Sequence, residues 1–98
     1  MMVIVDGAAD SVRMDDAENL RGLSVELRSC TPAEAPALLG DVGTLDGEHV
    51  WLDIAALKAL SPLAADPAWS AGFDDVITYA GTQGWIDESG SRVRAHLR

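Results

Sequence analysis

The sequence predicts a single α+β domain over residues 1–98, a small, mostly antiparallel sheet packed against two or three helices, the longest at about residues 67–81. Three observations lead there. Leu23, Val25 and Leu27 alternate with Ser24, Glu26 and Arg28, the period of two that marks a strand with one buried and one wet face. Asp46-Gly47 between two apolar runs is a hairpin signal, because the pair accepts the positive φ angles of a tight two-residue turn. Trp69, Phe73, Val76, Ile77 and Ala80 fall on one face at helical spacing.

The third observation defines the longest element. Asp66 offers an N-cap oxygen, Pro67 suits the first helical position because its missing N–H would have no partner there, and Gly81 is the expected stop. All five aromatic residues lie between Trp51 and Trp85, so the bulkiest core side chains belong to this part of the chain.

The remaining elements follow in order. Met2 to Val5 reads as a short apolar strand, with Ser11 to Met14 returning beside it across Gly7-Ala8-Ala9-Asp10. Asp15 to Asn19 is an acidic loop. Thr31-Pro32-Ala33-Glu34 has the form of a capping box, and Pro36 keeps the following helix short, anchored by Leu38 and Leu39. A type I′ turn at Asp46-Gly47 sets Leu45 against Glu48, Thr44 against His49 and Gly43 against Val50. Val50 and Leu52 then share one face, with His49 and Trp51 on the other, which suits an interior strand. Asp53 caps a helix through about Leu60, and Ser61-Pro62 turns toward Asp66. The C-terminal hairpin, Trp85 to about Leu97, turns at Ser89-Gly90, with Asp87 facing Arg92, Ile86 facing Val93 and Trp85 facing Arg94.

Charge narrows the function classes. Sixteen Asp and Glu against seven Lys and Arg give a net charge of −9, a field that repels phosphate backbones and anionic lipid. Neither nucleic acid nor membrane is an expected partner. A winged-helix reading of the last two helices and hairpin fails because the polar face of the longest helix carries Asp74 and Asp75 and no Lys or Arg. No cationic leader opens the chain, no apolar run reaches the roughly 18–20 residues of a membrane span, and Cys30 is the only cysteine, so a cytoplasmic location is expected.

Catalytic constellations are sparse, and the expectation leans away from an enzyme. Cys30 precedes a helix start that would favour its thiolate, and His49 beside Glu48 could act as acid or base; these are the two catalytic candidates. Neither has ligand-like spacing with His96, the acidic loop lacks the spacing of a calcium loop, and no phosphate-binding or dinucleotide motif is present, so no metal or cofactor is expected. The favoured function is a non-catalytic interaction or accessory module that binds a protein partner or a second copy of itself. Its candidate surface is Trp85, Asp87, Arg92 and Arg94, which alternation places opposite the apolar Ile86, Val93, Ala95 and Leu97. The alternative is a small enzyme or ligand-binding domain with a pocket between sheet and helices, lined by Trp51, Trp69 and Tyr79 and served by His49 or Cys30.

Overall fold

Apolar residues at alternate positions, punctuated by short turns, produce six strands. The computed structural model describes all residues, Met1–Arg98. The strands are β1 (Met2–Asp6), β2 (Ser11–Asp15), β3 (Ser24–Arg28), β4 (Gly43–Asp46), β5 (His49–Asp53) and β6 (Arg92–Leu97). They form one sheet in the order β2-β1-β3-β6-β5-β4. Three helices, α1 (Ala35–Leu39), α2 (Ile54–Leu60) and α3 (Pro67–Thr82), lie between β3 and β6 in the chain.

The sheet is mixed. Strands joined by tight turns pair antiparallel, as β1 with β2 and β4 with β5, and β5 also pairs antiparallel with β6. In contrast β3 runs parallel to both β1 and β6. Parallel neighbours need a long crossover, and the stretch carrying all three helices supplies it between β3 and β6.

Register sorts the two faces. Val3 is level with Met14 and Val25, Val50 with Ala95, and Leu52 with Val93. These side chains form one buried cluster with Ala35 and Leu39 of α1, Leu57 of α2, and Trp69, Phe73 and Ala80 of α3. The helices therefore cover a single face. The opposite face is polar, with Arg13 bonded to Asp6 at 2.9 Å and the Trp51 indole donating to Asp46 at 3.1 Å. Ile4, on that face by alternation, is nevertheless fully buried.

The helix starts behave as their sequences require. Asp53 accepts from the Ala56 N–H at 2.9 Å, and Asp66 accepts from the Ala68 N–H at 2.9 Å. The Thr31–Glu34 capping box closes, with Glu34 accepting from the Thr31 N–H at 3.0 Å and Thr31 Oγ1 accepting from the Glu34 N–H at 3.3 Å. It caps a turn ahead of α1, which begins at Ala35, so Pro36 sits in the first helical turn where its missing donor costs little. Val76 and Ile77 of the α3 stripe are partly buried against the core, beside the fully enclosed Phe73.

Three details depart from the sequence reading. Helix α3 continues through Thr82, and Gly84, not Gly81, takes the left-handed conformation at φ +77°. The Trp85 N–H then returns to the Ala80 carbonyl at 3.0 Å and the Gly84 N–H to the Gly81 carbonyl at 3.3 Å, the two bonds of a Schellman ending. In the β4–β5 hairpin Asp46 pairs with His49, Leu45 with Val50 and Thr44 with Trp51, so the loop is Gly47-Glu48, with Gly47 at φ +60°. This register sets Leu45 against apolar Val50 instead of charged Glu48 and, being a shift of two, keeps every side chain on its expected face. The C-terminal hairpin has the expected pairing, with the Arg94 N–H donating to the Trp85 carbonyl at 2.8 Å, but only an isolated Ile86–Val93 bridge forms. Asp87 turns into the loop, where it accepts from the Ser89 hydroxyl at 2.8 Å and the Arg92 N–H at 3.2 Å. The main partners of β6 are β5 and β3.

Three carboxylates in such local hydrogen bonds are held low. The Arg13 guanidinium, with the Ala9 and Ala8 amides, holds Asp6 below the ordinary carboxylate range. The Thr31 amide and hydroxyl do the same for Glu34, and the Ser89 hydroxyl leads for Asp87. A carboxylate whose pKa falls on folding contributes stability above its unfolded pKa and loses it as the pH drops through the lowered value. The expected result is a melting-temperature gap between wild type and an Asp6→Asn, Glu34→Gln, Asp87→Asn triple variant that is constant from pH 7 to about 5, begins to shrink as the pH falls through about 4 and closes only below the lowered values. A gap that persists unchanged to pH 3 would contradict the assignment.

Candidate binding groove

The geometry of the groove begins with an incomplete strand pairing. Only Ser24 with His96 and Val25 with Leu97 are in register between β3 and β6. Before Ser24 the segment Arg21-Gly22-Leu23 lies outside the sheet, and the first half of β6 is met instead by Ile86. Between these two partners a groove of about 350 Å³ opens. Helix α3 contributes Val76, Tyr79 and Ala80, one turn apart on one face; β6 and β5 contribute Arg94, His96 and His49; Trp85 and the Arg21–Leu23 segment close the sides. The groove thus runs past the edge of β6, from the helical layer to the polar face.

Two aromatic rings form its rim. Trp85 meets Tyr79 edge to face, with centroids 6.1 Å apart, and the two are the large apolar side chains left most open, at 36% and 59% exposure. His49 and His96, cross-strand neighbours, meet edge to face at 6.1 Å.

The electrostatics are opposite to those of the whole chain. Arg13, Arg28 and Lys58 are paired with carboxylates. Arg92 donates to Thr44 Oγ1 at 3.3 Å and Arg98 to Met2 Sδ at 3.4 Å. Arg21 and Arg94 are the two cationic side chains left without a hydrogen bond or ion pair, and both line the groove, which has no carboxylate in its lining. A shallower depression next to it shares Arg21, Val76 and Tyr79 and adds Asp75.

Of the four surface residues expected from the sequence, Trp85 and Arg94 meet here. Asp87 and Arg92 do not, being engaged by the loop and by Thr44. His49 lines the groove, whereas Cys30 lies beyond the far end of β3, so the two catalytic candidates are not brought together. Burial, with a smaller contribution from Glu34, pushes the Cys30 thiol up, and its Sγ–H donates to the Thr31 carbonyl at 3.4 Å, so the thiolate is disfavoured. The pocket expected around Trp51, Trp69 and Tyr79 is not formed. Trp69 is in the core, its indole bonded to the Ala17 carbonyl at 2.6 Å, and Trp51 is on the polar face. The sequence reading places Val76 in the apolar stripe of the helix and assigns neither Arg21 nor His96 to a site; the only local signal for Arg21 is its position after an acidic loop.

No group of three or more His, Cys, Asp or Glu side chains is arranged to hold a metal ion, and no helix is long and apolar enough to cross a membrane. Comparison of the chain with protein-family models, curated proteins and solved structures returns no match.

Proposed function

We propose that the chain is a non-catalytic interaction module that binds a protein partner through the groove, with Trp85 and Arg94 as its anchors. The supporting observation is the unpaired Arg21 and Arg94 beside the open Tyr79 and Trp85 rings, in a chain whose carboxylates outnumber its cations more than two to one. An unpaired guanidinium beside an open indole is the chemistry concentrated at the centre of protein interfaces. No hydrogen bond joins Tyr79 to either histidine of the lining, and Cys30, whose thiol is pushed up by burial, is not part of it.

Trp85→Ala and Arg94→Ala are each expected to weaken association by more than about 1 kcal/mol while leaving the melting temperature within a few degrees of wild type. Light scattering over a dilution series measures self-association, and a pull-down from the native host compares capture by wild type and variants. Equal mass and equal capture for all three chains would refute the proposal.

A further inference from the structure

We infer that the groove recognises an acidic segment of its partner, an Asp or Glu carboxylate next to an aromatic or branched apolar side chain. The inference rests on the interaction reading above and names the chemistry of the anchor.

Charge complementarity carries it. Three of the other five basic residues are ion-paired and two donate to Thr44 and Met2, so the free guanidiniums Arg21 and Arg94 are a local exception in an acidic protein. A carboxylate satisfies a guanidinium fork with two parallel, charge-assisted bonds, and neutral groups gain less from it. The rings of His49 and His96 add N–H donors beside Arg94 and contribute no acidic group. The apolar half of the groove, Val76, Ala80 and the Tyr79–Trp85 pair, accepts the flanking side chain.

The net charge of −9 does not oppose this at contact, since exposed charges beyond about 8 Å are screened at physiological salt. It does oppose a second copy of this chain as the occupant, because two equally acidic surfaces repel each other. It also favours an acidic segment carried by a partner that is not itself strongly acidic. Asp75 shares the adjoining depression with Arg21 and is a built-in competitor for it.

The test uses the full chain, labelled with nitrogen-15, and reads the Trp85 indole resonance. The probes are an N-acetylated, C-amidated hexapeptide with a central phenylalanine–aspartate pair, its phenylalanine–asparagine counterpart, and phenylacetate. The aspartate peptide is expected to bind saturably and about tenfold or more tighter than the asparagine peptide, the difference a charge-assisted bond confers over a neutral one. Arg94→Ala is expected to abolish that preference, and Asp75→Asn to strengthen binding of the aspartate peptide. Equal binding of the two peptides, or binding of neither, overturns the inference. So does phenylacetate binding as tightly as the peptide, which would make the groove a site for small free acids, or a concentration-dependent shift without any probe, which would make the occupant a second copy. If both peptides fail while Trp85→Ala still weakens partner capture, the interaction reading stands and this inference alone falls.

Discussion

Phe73→Ala is expected to lower the unfolding free energy by about 3–5 kcal/mol, a large part of the roughly 5–15 kcal/mol available to a domain of this size. Phe73 is 1% exposed and stacks on Trp69 at 5.2 Å between centroids, with its ring joined to the cluster that includes strands from both halves of the sheet. The Lys58 ammonium sits 5.8 Å from the ring centroid and covers its outer side. Removing the ring would leave a cavity beneath α3 and strip Trp69 of its stacking partner. The indole would still be held by its bond to the Ala17 carbonyl, so collapse into the void is restricted. Urea unfolding followed by circular dichroism checks this; a midpoint close to wild type would mean that the α3 stripe does not organise the core.

The second large effect is expected at Gly7. Its N–H donates to the Arg28 carbonyl at 2.8 Å, closing the end of the β1–β3 ladder. A Cβ there would lie 2.0 Å from the Ser29 carbonyl oxygen and 2.9 Å from the Ser29 carbonyl carbon, both backbone atoms. Relief needs a backbone shift at Ser29 and not a side-chain rotation, so Gly7→Ala is expected to disturb the end of the β1–β3 ladder and its hydrogen bond. The expected cost is about 3 kcal/mol, at the upper end of overpacking penalties. Gly22→Ala is the matched control, because nothing lies within 4 Å of the Cβ position there, and its expected effect is within about 0.5 kcal/mol. Equal unfolding midpoints for the two variants would show that β1 and β3 do not approach as closely as described.

What the sequence made legible was local. Asp53 and Asp66 announce helix starts because a cap oxygen and the amides it accepts from are two or three positions apart. The Trp85–Arg94 pairing was readable from the Ser89-Gly90 turn for the same reason, and so were the faces of Val50 and Leu52. Alternation could not reveal which distant strand lies beside which. That β3 adjoins β6 in parallel, and that their pairing stops after two positions, depends on the crossover through three helices. The groove is a product of that junction, so Arg21 could not be connected with Arg94 from the chain alone. The roles of the tryptophans divide on a similar line: periodicity marks Trp69 as core, whereas the carbonyl that anchors its indole is more than fifty residues away.

The two-position contact between β3 and β6 also divides the sheet by distance along the chain. Strands β1 to β3 fall within the first 28 residues and β4 pairs with β5 across a two-residue loop, whereas β6 reaches β5 only after the stretch carrying α2 and α3. Val25 and Leu97 are more than seventy positions apart, and closing so long a loop costs chain entropy that only later contacts repay. The helices fasten the halves as well: α1 lies against β1, β2 and β4, α2 against β2 and β5, while Trp69 of α3 reaches Ala17 and its Gly72 leaves room for Leu20. Joining them therefore carries a large loop-closure cost. A segment bound as proposed would touch Arg21 on one half and Arg94 on the other, and would then stabilise the joined sheet.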